Sequence, residues 1–315
     1  MSSPHQPNFH LKGRTTTSCV LFILDTQGEN RLYCCPKKGT SYHLTDGPIT
    51  VFGTLHLTED RVLVTVGEDT QEFTRSELIS IASYGEREIM RWSGKIDLGA
   101  NVSRGNSEQT QYTAKATIRR LTTATRFVMD YLGNFSRTEG IETINNQRVG
   151  SYLDIFRTRQ YFFRPFSAEY YRDPQNNIDR RITVGAGIGY HLVRTHRTEW
   201  DMTFGPAYQE TRFISVEPGE DSSKSTPALL VGTHFNTELT RTVDFDFSYD
   251  FKMLNEASGR YTHHLITALE TELTKWLNFD VSVVWDRTQN PTRKDDGTLP
   301  KKDDLYFIVS LGIDF

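Results

Sequence analysis

Along the last third of the chain, apolar and polar residues alternate with a period of two. Leu305, Phe307, Val309, Leu311, Ile313 and Phe315 fall on one face of an extended segment, with Tyr306, Ile308, Ser310, Gly312 and Asp314 on the other. Val243, Phe245, Phe247, Tyr249 and Phe251 oppose Asp244, Asp246, Ser248 and Asp250 in the same way. Ile182 to Leu192 and Leu277 to Trp285 repeat the pattern. Successive side chains of a strand point to opposite faces, so this period predicts strands. Twelve such segments follow Trp92, at 93–104, 109–121, 124–136, 147–157, 161–172, 181–193, 199–212, 227–239, 242–253, 260–273, 277–288 and 304–315. Most run 10–14 residues, whereas soluble strands usually run about 5–6. Crossing the hydrocarbon of a bilayer at a tilt takes about 9–11.

Alternation alone does not say which face meets the core. The spacing of the connections helps to decide. Leu121–Ala124, Thr158–Gln160, Arg194–Thr198, Thr240–Thr242 and Thr274–Trp276 are tight, and Gly133–Gln147, Arg172–Arg181, Ile214–Thr226, Asn255–Gly259 and Thr288–Asp304 are longer. Only Gly105–Glu108 is short on the long side. Short turns at one end and long loops at the other are the pattern of outer-membrane barrels. Eight strands enclose a space that side chains just fill, and twelve leave a wider bore. An apolar lining would leave that bore empty, whereas Asp and Arg could line water or pair across it. Trp92, Tyr131, Tyr161, Tyr190, Trp200, Tyr261, Trp276, Trp285 and Tyr306 fall mostly near strand ends, where interfacial girdles are expected. The predicted fold is all-β, a transmembrane antiparallel up-and-down barrel of about twelve strands over 92–315, its apolar stripes facing lipid.

Ahead of it, residues 1–47 show no sustained period and read as an irregular leader. Residues 48–84 predict a small β module of about three strands, from Val51–Leu57, Arg61–Val66 and Glu72–Ile81, and 85–91 a linker. The longest early apolar run, Cys19–Leu24, is six residues, far short of the ~20 of a membrane helix and of a signal-peptide core. A barrel must be exported, so a different or additional N-terminal signal is expected. Of the three cysteines, Cys19, Cys34 and Cys35, the adjacent Cys34 and Cys35 suit neither a metal pair nor a relaxed disulfide. With 24% charged residues and a net charge of −4, the chain lacks the basic excess of a nucleic-acid binder. A mean hydropathy of −0.52 suits a soluble protein equally well, because only alternate residues of a membrane strand face lipid.

Trp92-Ser-Gly-Lys-Ile-Asp-Leu-Gly-Ala100 followed by Gly105-Asn-Ser-Glu108, the Asn177–Tyr190 stretch and the closing strand ending on Phe315 together resemble a family of salt-induced outer-membrane proteins (YdiY-like). The resemblance covers about 92–315, and the β module is similar to an N-terminal extension of some members. It implies an outer-membrane barrel tied to envelope or osmotic stress, and it implies no catalytic residues. A terminal Phe on an alternating strand resembles the signal recognised by the barrel assembly machinery, which makes Phe315 a candidate assembly signal.

Candidate chemistry is sparse. His263 and His264 are adjacent, so a strand sends them to opposite faces and they cannot share a metal. Gly185, Gly187 and Gly189 lie inside a strand with no helix after it, so no dinucleotide fingerprint forms; they are expected to face the bore and admit bulky neighbours. Asp244, Asp246 and Asp250 are expected to project inward. They could bias a channel towards cations, or pair with inward Arg119 and Arg126 and fill the bore. An outer-membrane hydrolase acting on lipid or peptide is the rival class, with His191, His196, Asp201 and Ser248 as candidates that no spacing singles out. The charged stretch from Arg293 to Asp304 suits a solvated loop. The expectation is therefore a non-enzymatic barrel with no cofactor, metal or nucleic acid. Its partners would be outer-membrane lipid and lipopolysaccharide, and its chain ends and β module would lie in the periplasm.

Overall fold

A computed structural model describes residues 20–24, 49–57, 61–66, 69–74, 78–83, 88–103, 109–122, 124–158, 160–195 and 197–315. Cys19, Cys34, Cys35, His196 and the hairpin at Gly105–Glu108 lie outside the described residues. The first unit is a five-stranded sheet of β1 (Val20–Leu24), β2 (Ile49–Leu57), β3 (Arg61–Val66), β4 (Asp69–Thr74) and β5 (Leu78–Ser83), in the order β4-β3-β2-β1-β5. Val62 and Val64 are buried, and Phe73 joins them because it stands opposite Val62 in the antiparallel register. Two readings of the sequence change here. Val20–Leu24 is a strand within the stretch taken for an irregular leader, and the segment from Glu72 to Ile81 divides between β4 and β5.

The second unit is a closed antiparallel barrel of twelve strands. They are β6 (Trp92–Ser103), β7 (Gln109–Leu121), β8 (Thr125–Thr138), β9 (Ile141–Phe156), β10 (Tyr161–Asp173), β11 (Ile178–Arg194), β12 (Thr198–Phe213), β13 (Ser223–Glu238), β14 (Val243–Met253), β15 (Tyr261–Glu272), β16 (Leu277–Thr288) and β17 (Asp303–Asp314). Each pairs with its neighbour in sequence, and β17 closes on β6 through Leu311↔Leu98 to Asp314↔Lys95. At that seam Phe315 and Gly94 exchange backbone hydrogen bonds of 2.9 and 3.0 Å. The Phe315 ring covers Gly94 so closely that a Cβ there would meet it at 2.4 Å.

The polarity is inside out. On β17, Leu305, Phe307, Val309, Leu311 and Ile313 are 45–71% exposed, whereas the intervening Ile308 and Ser310 are 5% and 7% exposed. Ile182, Val184, Ile188 and Leu192 of β11 are likewise exposed, with Arg181, Thr183 and His191 buried between them. Fully burying one such apolar side chain is worth about 1.5–3 kcal/mol, so water is a poor solvent for this surface. A twelve-residue strand rising about 3.3 Å per residue at a tilt of about 40° spans about 30 Å, the thickness of bilayer hydrocarbon. No helix among the described residues is long and apolar enough to cross a membrane; the strands have the dimensions and surface to do so.

The loop ends depart from expectation. Gly133–Gln147 is not a loop: the ladder runs on from Gly133↔Gln147 to Thr138↔Ile141 and closes in a turn at Glu139 and Gly140, both with positive φ (52° and 80°). The apolar period breaks there because outward positions turn polar at Arg137, Asn145 and Gln147 while the ladder continues. Arg172–Arg181 contracts similarly, to a turn over 174–177. Longer loops remain at 214–222, 254–260 and 289–302.

The expected aromatic girdle holds in part. Tyr161 packs edge-on against Tyr190 near the short turns. Near the loops, Phe251, Tyr261, His263 and Trp285 stack on the outer face. Tyr306 is different: it points into the bore, where Asn146 Nδ2 donates to its hydroxyl at 2.7 Å.

Candidate functional site

The inward face of each strand supplies the polar residues, and three charged assemblies organise them. The first binds the seam. Lys95 of β6 lies 2.7 Å from Glu270 and from Asp280 and 3.3 Å from Asp97, so one ammonium joins β6 to β15 and β16 across β17.

The second lies towards the short turns and is centred on Arg126 (β8). Its guanidinium donates to Asp154 at 2.9 and 3.0 Å, to Glu199 at 2.9 Å and to Asp201 at 2.8 Å. Arg164 shares Asp154 at 2.6 Å, and His191 Nδ1 pairs with Asp201. Phe162 packs beneath Arg126 and fills the space left by Gly189, where a Cβ would meet its ring at 1.9 Å. The five contributing strands, β8 to β12, are consecutive in the ring. Such a fork of charge-assisted bonds suits Arg, whose planar donors match carboxylates.

The third crosses the bore. Arg148 (β9) donates to Glu169 (β10) at 2.7 Å and to Asp286 (β16) at 2.6 Å. Glu169 also pairs with Lys252 (β14), and Asp286 accepts from His264 (β15), with 2.8 Å between them. These residues come from two separate arcs of the ring, β9–β10 and β14–β16. Together they form a septum. On one side lies a chamber of about 390 Å³, bordered by Lys115, Arg119, Asp130, Ser248 and Ser282. On the other lies a vestibule of about 30 Å³ towards the loops, bordered by Arg181, Lys301 and Lys302. Arg148, Asp250, Lys252 and His264 border both. Inward-facing Leu132, Val284 and Ile308, packed with Ile266 and Tyr306, narrow the same bore with apolar bulk.

The residues singled out from sequence are only partly brought together. Arg119 and Arg126 face inward, but Arg126 is taken by Asp154, Glu199 and Asp201 rather than by Asp244, Asp246 or Asp250. Those two groups stand at different places around the ring, and carboxylates on nearer strands reach Arg126 first. Asp246 sits 3.2 Å from His234. Asp250 borders the chamber, and Arg119 does so too. Of the hydrolase candidates, His191 and Asp201 meet, whereas Ser248 stands opposite His234 in the β13–β14 register. His191, Glu199 and Asp201 place ligand atoms within 4.8 Å of one another, a spacing a metal could use. Arg126 already provides the positive charge between Glu199 and Asp201, so the donor set does not call for an ion. As adjacency requires, His263 and His264 lie on opposite faces, the first among outer aromatics and the second on Asp286. The residues missed from sequence are Arg148, Glu169, Lys252 and Asp286. Their inward parity was readable, but their partners lie on strands far apart in the chain.

A closed barrel with an apolar outside and a charged inside is an integral β-barrel membrane protein. Within that class, the family model described as "Protein of unknown function, DUF481" matches residues 96–315, and the chain belongs to that family. No curated protein matches the chain. Among solved structures, the chain is similar to a NanC porin, at 9% identity and a TM-score of 0.44 over 71% of this chain and 98% of that one. The translocator domain of the autotransporter NalP from Neisseria meningitidis has 11% identity and a TM-score of 0.39, over 70% and 87%. The outer membrane channel DcaP of Acinetobacter baumannii has 10% identity and a TM-score of 0.29, over 95% and 94%.

Proposed function

We propose that the protein is an integral outer-membrane barrel acting as a normally closed channel, its bore shut by the Arg148 septum. The single observation that supports this is the pairing of Arg148 with Asp286 and Glu169 across two separate arcs of the wall. A barrel that only anchored a periplasmic module would need no paired charges between opposite walls. Burying ions is costly unless each is matched, so a septum built from them is better suited to a barrier that can be undone than to a permanent plug. In this reading the chain ends and the β module face the periplasm, because the short turns lie at the same end as Phe315. Lipid and lipopolysaccharide surround the outer face, and the assembly machinery recognises Phe315. The resemblance to salt-induced proteins adds a role under osmotic or envelope stress. The activity is transport rather than hydrolysis. Planar-bilayer recording of the folded protein tests it. Rare, small conductance steps that become frequent in Arg148→Met support the reading, and large steady steps in the wild type would refute a closed bore.

A further inference from the structure

Among the described residues, the buried cations Arg126, Arg148 and Lys252 each pair with carboxylates. Arg181 of β11 is 7% exposed, yet it makes no ion pair among the described residues. Its Nε donates to Thr211 Oγ1 at 3.3 Å, and its guanidinium carbon stands 5.7 Å from the centre of the Tyr171 ring. The two Nη groups donate to no group among the described residues, and the side chain borders the vestibule. The carboxylates nearby are engaged elsewhere. Glu169 serves Arg148 and Lys252, Asp286 serves Arg148 and His264, Asp173 accepts from Tyr171 and Asn176, and Asp304 accepts from Asn176. Asp250 remains, at the boundary with the chamber. Lys301 and Lys302 are exposed on the loop that borders the same vestibule, and neither makes an ion pair among the described residues.

A buried guanidinium with no carboxylate in contact is costly, and its fork fits two oxygens of one carboxylate or phosphate. The vestibule, about 30 Å³, has room for about two waters or for the leading oxygens of one oxyanion. We propose that Arg181 anchors an anion site in the vestibule, above the septum, that takes the phosphate or carboxylate group of a small soluble solute. Lys301 and Lys302 draw the anion in; Arg181 holds it. The body of the solute stays on the loop side, because Arg148 and Lys252 close the floor. This site does not depend on whether the bore conducts, so binding and conductance can fail separately.

Isothermal titration of the folded full-length protein in detergent tests it, with sodium phosphate and sodium glucuronate as probes at constant ionic strength set by sodium chloride. At least one probe is expected to bind saturably to the wild type. Arg181→Gln should weaken it at least tenfold while still migrating as a folded, heat-modifiable barrel. Arg181→Lys should also weaken it, since an ammonium cannot present the paired donors. The double variant Lys301→Gln, Lys302→Gln should lower affinity several-fold. If Arg181→Gln does not fold, Arg181→Lys and the double variant decide. Absence of binding by either probe in the wild type, or unchanged affinity in the folded Arg181 variants, would overturn the proposal.

Discussion

The Arg126 and Arg148 assemblies use the same chemistry, buried arginine on carboxylate, for opposite architectural ends. Arg126 draws its partners from consecutive strands, β8 to β12, and staples one arc of the wall to itself. Arg148 reaches from β9 to β16 and ties two arcs together. The contrast shows that the position of the partner in the ring, not the strength of the pair, separates a charge cluster that staples neighbouring strands from one that bridges the bore. The two should therefore respond differently to the same substitution.

The largest effect is expected at Arg126. Arg126→Met takes from Asp154, Glu199 and Asp201 the guanidinium they share, although Arg164 still pairs with Asp154 and His191 with Asp201. Removing one partner of a buried pair costs about 3–5 kcal/mol, to be read from urea unfolding in lipid vesicles, with conductance unchanged. Next comes the outer face. Phe307→Arg puts a charge on a 67%-exposed position of the lipid belt and should cost about 2–4 kcal/mol in the same assay. Thr117→Lys, facing the chamber, should leave stability nearly unchanged. Equal losses for the two would reverse the inside-out assignment. Arg148→Met comes third in stability, at about 1–3 kcal/mol, because Lys252 still matches Glu169 and His264 stays on Asp286. The smallest effect is at the rim, where the pair of Arg287 and Asp303 at 2.7 Å is partly exposed. Arg287→Gln should change stability by no more than about 1 kcal/mol, and high salt should erase the difference.

Much of the barrel was legible in the chain. The stripe from Leu305 to Ile313 gave strand, face and extent at once, because lipid outside and polar groups inside enforce a strict period of two. The turn at Glu139 and Gly140 was not legible: outward Arg137, Asn145 and Gln147 break the apolar period while the ladder continues, so the period reports the apolar belt and not the full strand. Tyr306 misled for a related reason, since its parity on β17 put it inward although its residue type suggested the interface. The candidate site was less visible. Inward parity marked Asp250, Arg119 and Arg126 as lumen residues, but pairing across the bore depends on barrel shear and ring position. Arg126 therefore finds Asp201, 75 residues away in the chain, and Arg148 finds Asp286, 138 away, and no local signal announces either.

The most direct measurement is the ratio of single-channel open probabilities for Arg148→Met and Arg126→Met, each reconstituted in planar bilayers beside the wild type. If the Arg148 assembly closes the bore, Arg148→Met opens often and Arg126→Met stays as quiet as the wild type. Equal behaviour of the two variants, or a wild type already as open as Arg148→Met, would contradict the assignment of the septum as the barrier.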